Sequence, residues 1–541
     1  MKLISIPDEA KARLSNFKDK DWRAHQEEAI DFITKSTKKF RIIKARTGFG
    51  KSLVAMVSGV MTGDLNYLVQ SKFLQTQLVH DFPEMASIWG RNNYTCAKDS
   101  SRTCDECMAT ESNPCNCPCE YKQAKAIALS SSYRCMNFSY FLAEIQYAGR
   151  FSGRPFTIVD EADSLENTLL NNVTLEFTEK ALYRLGIENG PKMKTATSKD
   201  GLSSWADFGR VAYDRAMSLH KDIVKEVENM DKRDEEAVLS KLRDAKFFIH
   251  IAERCKIFLN NMDRGWLYEE VERRGSRQGK TIFRPTWLSP ELSNEFLFKH
   301  SQEWLLISAT FLPMVVLCKQ LGLDIDEIDY LELPSTFPPE QSPVMVWPVA
   351  NVVTKELKKE VPKLIEGIKK ILDMHKGQRG LLHTVSYKLC KEIMDGVDSP
   401  RLITHTPQNR QEIIDAFVSD DKNLPKDAVL VSPSSERGLD LKGHLCDFVI
   451  VAKCPYLSIM DKVTSARLFG SGDIGKLYYR AAAFTEIEQM CGRGMRSKSD
   501  FVISYLLDYQ ILKVYNQSPS LWSNSFREQI SWEEIPDDWD I

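Results

Sequence analysis

The stretch RIIKARTGFGKSLVAMVSGVM, residues 41–61, constrains the fold more than any other segment. An apolar β-rich run (41–45) enters a turn with glycines at 48 and 50, and an apolar helical run leaves it. A strand that feeds a helix through such a turn has to sit in a parallel sheet covered by helices, because parallel strands need crossovers to return the chain. Ala45 stands at the position of the first glycine in the usual phosphate-binding pattern. Gly48 and Gly50, with Thr47 and Phe49 between and beside them, can turn backbone N–H groups toward phosphate oxygens. Lys51 offers a point charge to the β and γ phosphates, and Ser52 can ligate magnesium.

Further short aliphatic runs recur between helical patterns at 66–70, 156–160, 304–308, 380–384, 428–432, 447–452 and 501–507. Strands alternating with helices predict an α/β fold with parallel sheets. The runs fall into two groups separated by the Pro-rich STFPPEQSP (335–343), and 541 residues exceed the roughly 250 to 300 at which a single core stops growing. Two α/β lobes are therefore expected, the second beginning at 336. Val238, Leu242, Ala245, Ile249 and Ala252 fall at helical spacing within a long charged insertion (164–300), which is expected to be mainly helical, with a hairpin from the runs 266–271 and 281–284.

The second chemical signal is TIVDEADS (157–164), an apolar strand ending in adjacent carboxylates. Asp160 suits a magnesium shell and Glu161 suits activation of an attacking water. An acidic cluster after a strand is often only a favourable helix start, but pairing with the phosphate loop argues for a nucleotide site.

Thirteen cysteines in a chain with no evident export signal point to metal binding or buried thiols, and six of them lie between Cys96 and Cys119. That polar segment (91–135) has little apolar material with which to bury free thiols. Four thiolates suit an iron-sulfur cluster or tetrahedral zinc, and spacing does not separate the two. Cys135, Cys255, Cys318, Cys390, Cys446, Cys454 and Cys491 sit in apolar or motif contexts and are expected to be core residues. The net charge of −3 gives no long-range attraction for phosphate, so nucleic-acid contacts would rest on local patches. No stretch approaches the roughly 18 apolar residues of a membrane span, and a soluble, intracellular, non-secreted protein is expected.

Taken in order, these motifs resemble superfamily 2 helicases and, more narrowly, the XPD and DinG group of iron-sulfur helicases, over nearly the whole chain. WRAHQ resembles the segment that reads adenine, through Arg23 and Gln26, and SKFLQTQ (71–77) resembles motif Ia. WLLISATFLP supplies Ser308, Ala309 and Thr310 as motif III, and RGLLHTVSY resembles motif IV. SSERGLDLKG (434–443) resembles motif V, with Gly438 and Asp440, and QMCGRGMRS (489–497) resembles motif VI, with Gln489, Gly492, Arg493 and Arg496. Arginines from the second lobe can reach the γ-phosphate as charge develops in the transition state. The group usually carries His where this chain has Asp163, which bears on coupling among motifs II, III and VI.

The resemblance implies lobe 1 from segments 1–90, 136–163 and 301–335, interrupted by a cysteine-bearing insert (91–135) and an arch-like insert (164–300), with lobe 2 over 336–541. GRNNYTCAK and the segment 119–141, aligned on Ala124, Lys125, Ala128 and Asn137, place a 4Fe-4S cluster on Cys96, Cys104, Cys107 and Cys119, with Cys115 and Cys117 as alternates and zinc as the alternative metal. ATP and Mg2+, the latter on Ser52 and Asp160, are the implied cofactors. Single-stranded and forked DNA are the implied partners, and the implied activity is 5′-to-3′ translocation with unwinding by a monomeric motor, in repair or replication. Tyr94, Trp266 and Tyr268 are candidates for stacking on bases, although aromatics in such positions are usually core. Two alternatives are an RNA-directed remodeller, suggested by the literal DEAD string, and a zinc-containing translocase that does not separate strands.

Overall fold

The computed structural model describes residues 7–46, 48–106, 119–147, 149–197, 200–231, 234–273, 278–353, 355–433, 441, 443–495 and 500–531. Its first sheet is built from β1 (Phe40–Lys44), β2 (Leu65–Val69), β3 (Ala86–Ser87), β4 (Tyr133–Asn137) and β5 (Arg154–Asp160). Three strands, β6 (Leu175–Thr178), β7 (Trp266–Val271) and β8 (Lys280–Pro285), belong to an insertion, after which β9 (Ser301–Ser308) and β10 (Ile328–Glu332) complete the first sheet. The second sheet holds β11 (Val344–Ala350), β12 (Gly380–His383), β13 (Leu402–Thr404), β14 (Val429–Ser432), β15 (Phe448–Val451), β16 (Ile503–Asp508) and β17 (Ile530–Ser531).

Strand order is β10-β1-β9-β5-β2-β4-β3 in one sheet and β13-β14-β12-β15-β16-β11-β17 in the other. Every pairing within these two seven-stranded sheets is parallel. The fold is thus α/β with two parallel-sheet lobes. The central strands read as unbroken apolar runs because helices cover both faces; β2, β12, β14 and β15 are buried along their whole length.

Several strands carry no such run and escape a pattern reading. β10 is a half-exposed edge strand, IDYLE. β4, YRCMN, begins inside the segment expected to be a metal-organised insert (91–135) and crosses its boundary, yet pairs along its whole length with β2, from Tyr133↔Leu65 to Asn137↔Val69. Its Arg134 is fully buried and ion-paired to Asp64 just before β2, while Arg154 at the start of β5 reaches the same carboxylate at 3.0 Å. One aspartate therefore ties together the N-terminal ends of three neighbouring strands.

The later insertion contains the two long helices Gly201–Asn229 and Glu235–Asn261, packed on each other, and a three-stranded antiparallel sheet in the order β6-β8-β7. The β7–β8 pair is the hairpin expected from the sequence; β6, preceding both helices, is added to it. An aromatic core fills the space between, with Trp205 and Phe283 ring centroids 5.3 Å apart and Phe258 and Trp266 5.4 Å apart. Helix Glu235–Asn261 also meets the cysteine-bearing segment: Arg243 pairs with Glu106, and Lys246 Nζ donates to the Asp105 carbonyl at 2.8 Å.

Removing Asp64 leaves Arg134 as an uncompensated buried charge, so Asp64→Ala is expected to destabilise the fold by about 3 to 5 kcal/mol, measured as a lower midpoint in urea unfolding; an unchanged midpoint would refute the clamp.

Candidate functional site

Parallel pairing brings the chemistry to one sheet edge. β1 and β5 flank β9, and the register sets Lys44 opposite Ser308 and Asp160 opposite Ile307. The phosphate loop, motif III and the acidic pair thus emerge side by side at the carboxyl ends of adjacent strands, where open α/β sheets bind ligands.

Gly48 and Gly50 have φ of 86° and 84°, in the left-handed region that suits glycine. A Cβ on Gly50 would stand 2.6 Å from Gln26 Nε2. That amide donates to the Phe49 carbonyl at 2.8 Å, and Arg23 Nη1 donates to the Gly48 carbonyl at 2.5 Å. Arg23 and Gln26 therefore grip the loop backbone itself, with the Gln26 carbonyl oxygen accepting from the Arg23 amide at 2.9 Å. Lys51 and Ser52 open the helix Lys51–Thr62 immediately beyond. Thr47 lies outside the described residues.

Asp160 ends β5, and Glu161 takes a left-handed conformation, φ 51°, before the short turn Ala162–Ser164. Such a conformation is uncommon for a residue with a side chain and marks a held geometry. The buried Tyr67 hydroxyl donates to Asp160 Oδ2 at 3.1 Å and also hydrogen-bonds Ser52. The two side chains expected to ligate magnesium are thus bridged by one phenol. Tyr67 gives no signal in the sequence, being one aromatic in an apolar strand. Burial, and then the Glu161 charge, push the Asp160 carboxyl up to about 6, while Lys51 pulls it down.

Asp163 is the meeting point of the lobes. Ser308 Oγ donates to its Oδ1 at 2.8 Å, and Gln489 Nε2 from lobe 2 donates to its Oδ2 at 3.2 Å. The same Gln489 amide donates to Thr310 Oγ1. The residue that departs from the group's usual His therefore joins motifs II, III and VI directly, as a carboxylate accepting from both sides. Gln489 lies on the last turn of the helix Gly472–Cys491, and Arg493 follows two residues beyond its end, buried. Arg46, two residues before Gly48, shares a small cavity with Cys491, Gly492 and Met495, so this segment of lobe 2 faces the phosphate loop. Arg496, Gly438 and Asp440 lie outside the described residues.

Of the cysteines, Cys104 and Cys119 are both buried and lie near enough for each to influence the other. Burial and the neighbouring Cys119 push the Cys104 thiol up to about 11, with Arg91 acting in the opposite sense. A narrow hairpin joins the Cys96 and Cys104 segments: the Cys96 amide donates to the Arg102 carbonyl at 2.9 Å and the Cys104 amide to the Tyr94 carbonyl at 2.7 Å. Cys119 immediately precedes the helix Glu120–Ser130. Cys107, Cys115 and Cys117 lie outside the described residues, and among the described residues no three metal-ligating side chains converge. The seven remaining cysteines are free thiols, buried except for half-buried Cys318.

The aromatics proposed for stacking are packing residues instead. Trp266 is buried against Phe258, Tyr268 packs on Phe283 at 5.2 Å, and Tyr94 packs on Tyr121 at 5.6 Å. Exposed aromatics occur elsewhere: Phe73 just past β2, 70% exposed, and Tyr387 just past β12, 47% exposed.

The two parallel-sheet lobes thus meet through a glycine-turned loop, an acidic strand end and a Gln- and Arg-bearing helix end. Residues 368–528 match the helicase C-terminal domain family. No curated protein sequence matches the chain. Among solved structures, one titled XPD_Helicase aligns at 14% identity with a TM-score of 0.59, covering 94% of this chain and 98% of that one. A second, XPD_APO, aligns at 13% identity and TM-score 0.57 over 92% and 98%. Xpd4 of S. tokodaii aligns at 14% identity and TM-score 0.54 over 94% and 99%. By fold, the chain is similar to these XPD structures over nearly its whole length. No helix among the described residues is long and apolar enough to cross a membrane.

Tyr67→Phe removes one hydrogen bond to Asp160, worth about 0.5 to 1.5 kcal/mol; the Mg2+ concentration for half-maximal ATPase is expected to rise several-fold with the KM for ATP little changed. Because Asp160 has to be ionised to hold the metal, Mg2+ affinity is expected to fall as pH drops below about 6. In metal-free protein the sign reverses. The folded state holds the proton more tightly than the unfolded chain, so this carboxyl's contribution to stability declines as pH rises from about 4 toward about 6. Isothermal titration with Mg2+ and melting curves across that range check both.

Proposed function

We propose that the chain is an ATP-driven translocase on single-stranded DNA that moves 5′ to 3′ and separates duplex strands, with a 4Fe-4S cluster on Cys96, Cys104, Cys107 and Cys119. The observation that carries this reading is the Asp163 junction. A carboxylate in the ATPase motif of lobe 1 accepts from Ser308 in its own lobe and from Gln489 in the other. A change in the γ-phosphate therefore has a direct route into the position of lobe 2.

In the proposed cycle Lys51 binds the β and γ phosphates, Ser52 and Asp160 hold Mg2+, and Glu161 takes the proton of the attacking water. Arg493, with Arg496, stabilises the charge that develops on the transferred phosphoryl group. Gln489 senses the nucleotide through Asp163. Release of the γ-phosphate loosens that contact and lets lobe 2 move along the strand.

For the strand itself, Phe73 and Tyr387 support stacking. Phe73 follows Ser71, which caps its helix by accepting from the Leu74 amide, and Tyr387 follows Ser386, which accepts from the Leu389 amide. Each lobe thus offers an exposed ring and a lysine, Lys72 or Lys388, at the start of a helix beside a strand end. The resemblance of the motifs to the XPD and DinG group favours DNA over RNA. The contact of helix Glu235–Asn261 with the cysteine-bearing segment supports a ring or wedge against which a duplex would split. The neighbouring, buried Cys104 and Cys119 suit thiolate ligation, and a bound cluster would cross-link a segment with little core of its own.

Anaerobically purified protein is expected to carry about four irons with broad visible absorption, to hydrolyse ATP faster with single-stranded DNA, and to open forks with a 5′ but not a 3′ tail. Zinc in place of iron, or stimulation by RNA only, would overturn the cluster or the substrate respectively, and Lys51→Ala should abolish hydrolysis. Phe73→Ala and Tyr387→Ala are each expected to weaken oligo-dT binding by about 1 to 3 kcal/mol, read by fluorescence anisotropy, with ATP affinity unchanged.

A further inference from the structure

Lobe 2 touches the segment after motif II at a second point, built differently from the Gln489–Asp163 contact. Glu166, three residues beyond Asp163, is buried and forms a two-pronged ion pair with buried Arg467: Nη2 to Oε1 at 2.5 Å and Nη1 to Oε2 at 3.3 Å. Gln320, on the helix Met314–Leu321 that follows motif III, donates to Glu166 Oε2 at 2.5 Å. Arg467 Nε donates to the Thr286 carbonyl at 2.8 Å, and its guanidinium lies 4.1 Å from the Trp287 ring and 4.8 Å from the Tyr478 ring. Trp287 Nε1 donates to Ser471 Oγ at 2.9 Å, and Arg284 reaches Asp461 at 3.2 Å. Residues 284–287 are the chain returning from the arch-like insertion to lobe 1.

A single guanidinium from the lobe 2 helix Lys462–Gly470 therefore engages the helix after motif II, through it the helix after motif III, and the chain leaving the insertion. Both charges are supplied with partners, which a buried pair needs if it is to persist. A cavity of about 420 Å³ is lined by residues of both contacts, Asp163, Thr310 and Met490 together with Glu166, Gln320 and Tyr478. Val385, φ 61°, also lines it. An interface with one densely satisfied contact, a void, and one lighter contact is shaped to rotate about the first.

We infer that Arg467, held by Glu166, Gln320, Thr286 and Trp287, is a positioning residue that pins lobe 2 to the root of the insertion in every nucleotide state. Lobe closure is then a rotation about this pin that makes and breaks the Gln489–Asp163 contact. Because Thr286 and Trp287 directly follow β8, the last strand of the insertion, the pin also ties the insertion to lobe 2 as the cleft opens. The inference rests on the reading of the chain as a nucleic-acid-stimulated ATPase.

Hydrogen exchange on the wild-type chain, without nucleotide, with ADP, and with a non-hydrolysable ATP analogue, tests the pin directly. The amides of 462–470 are expected to keep the same protection in all three states while those of 309–312 and 489–493 change; nucleotide-dependent protection of 462–470 would overturn the inference. The double variant Glu166→Leu/Arg467→Met replaces the pair with apolar groups that keep the packing but lose the directional bonds to Gln320 and Thr286. It is expected to keep the wild-type melting temperature, basal ATPase and KM for ATP, and to lose roughly tenfold in stimulation by oligo-dT. Full stimulation in a folded double variant would mean a merely structural pair and would also overturn it. A wild-type chain that no nucleic acid stimulates would instead defeat the proposed function, and the exchange experiment with nucleotide alone would still decide the pin.

Discussion

The parallel alignment of β1, β9 and β5 is the constraint on which the rest of the structure depends. Parallel strands deliver all their carboxyl ends to one edge, and the register leaves Lys44 level with Ser308 and Asp160 level with Ile307 just before it. From that edge the phosphate loop, the SAT segment and the DEAD segment have no choice but to face the same space. A slip of one residue in β5 would exchange the faces of its side chains and carry the acidic pair away from Ser52.

What that edge accomplishes depends on how its carboxylates are held. Asp160 is half-buried beside Tyr67 and Ser52, an environment that disfavours its charge and suits the approach of a cation. Asp163, three residues on, is held by donors from two lobes and is suited to transmit position. The same short turn thus separates two roles, and the left-handed Glu161 between them sets the angle at which the chain passes from one to the other.

The cleft is bounded by two contacts of unlike character. The Gln489–Asp163 contact consists of single hydrogen bonds beside a cavity, whereas Glu166 and Arg467 exchange several bonds and are flanked by rings. Packed interiors resist small displacements and voids permit them. The geometry therefore directs motion to the nucleotide side, and the chain leaving the insertion shares the fixed side.

The sequence by itself determined the α/β class, the two groups of strands, the β7–β8 hairpin and the order of the motifs, because each is written in local periodicity and turn chemistry. Gly48 and Gly50 are legible since only a special backbone needs them. Other features were decided by tertiary structure alone. β4 hides behind an arginine whose burial depends on Asp64, distant in sequence. Tyr67 looks like one more apolar strand residue until Ser52 and Asp160 fold against its hydroxyl. Trp266 and Tyr268 read as candidate platforms; Trp266 is core and Tyr268 is half-buried against it, while Phe73 and Tyr387 are among the exposed rings. Glu166 and Arg467 are 301 positions apart and belong to no motif. Periodicity reports which face of an element is buried; which charge meets which across a cleft is fixed only when whole elements pack.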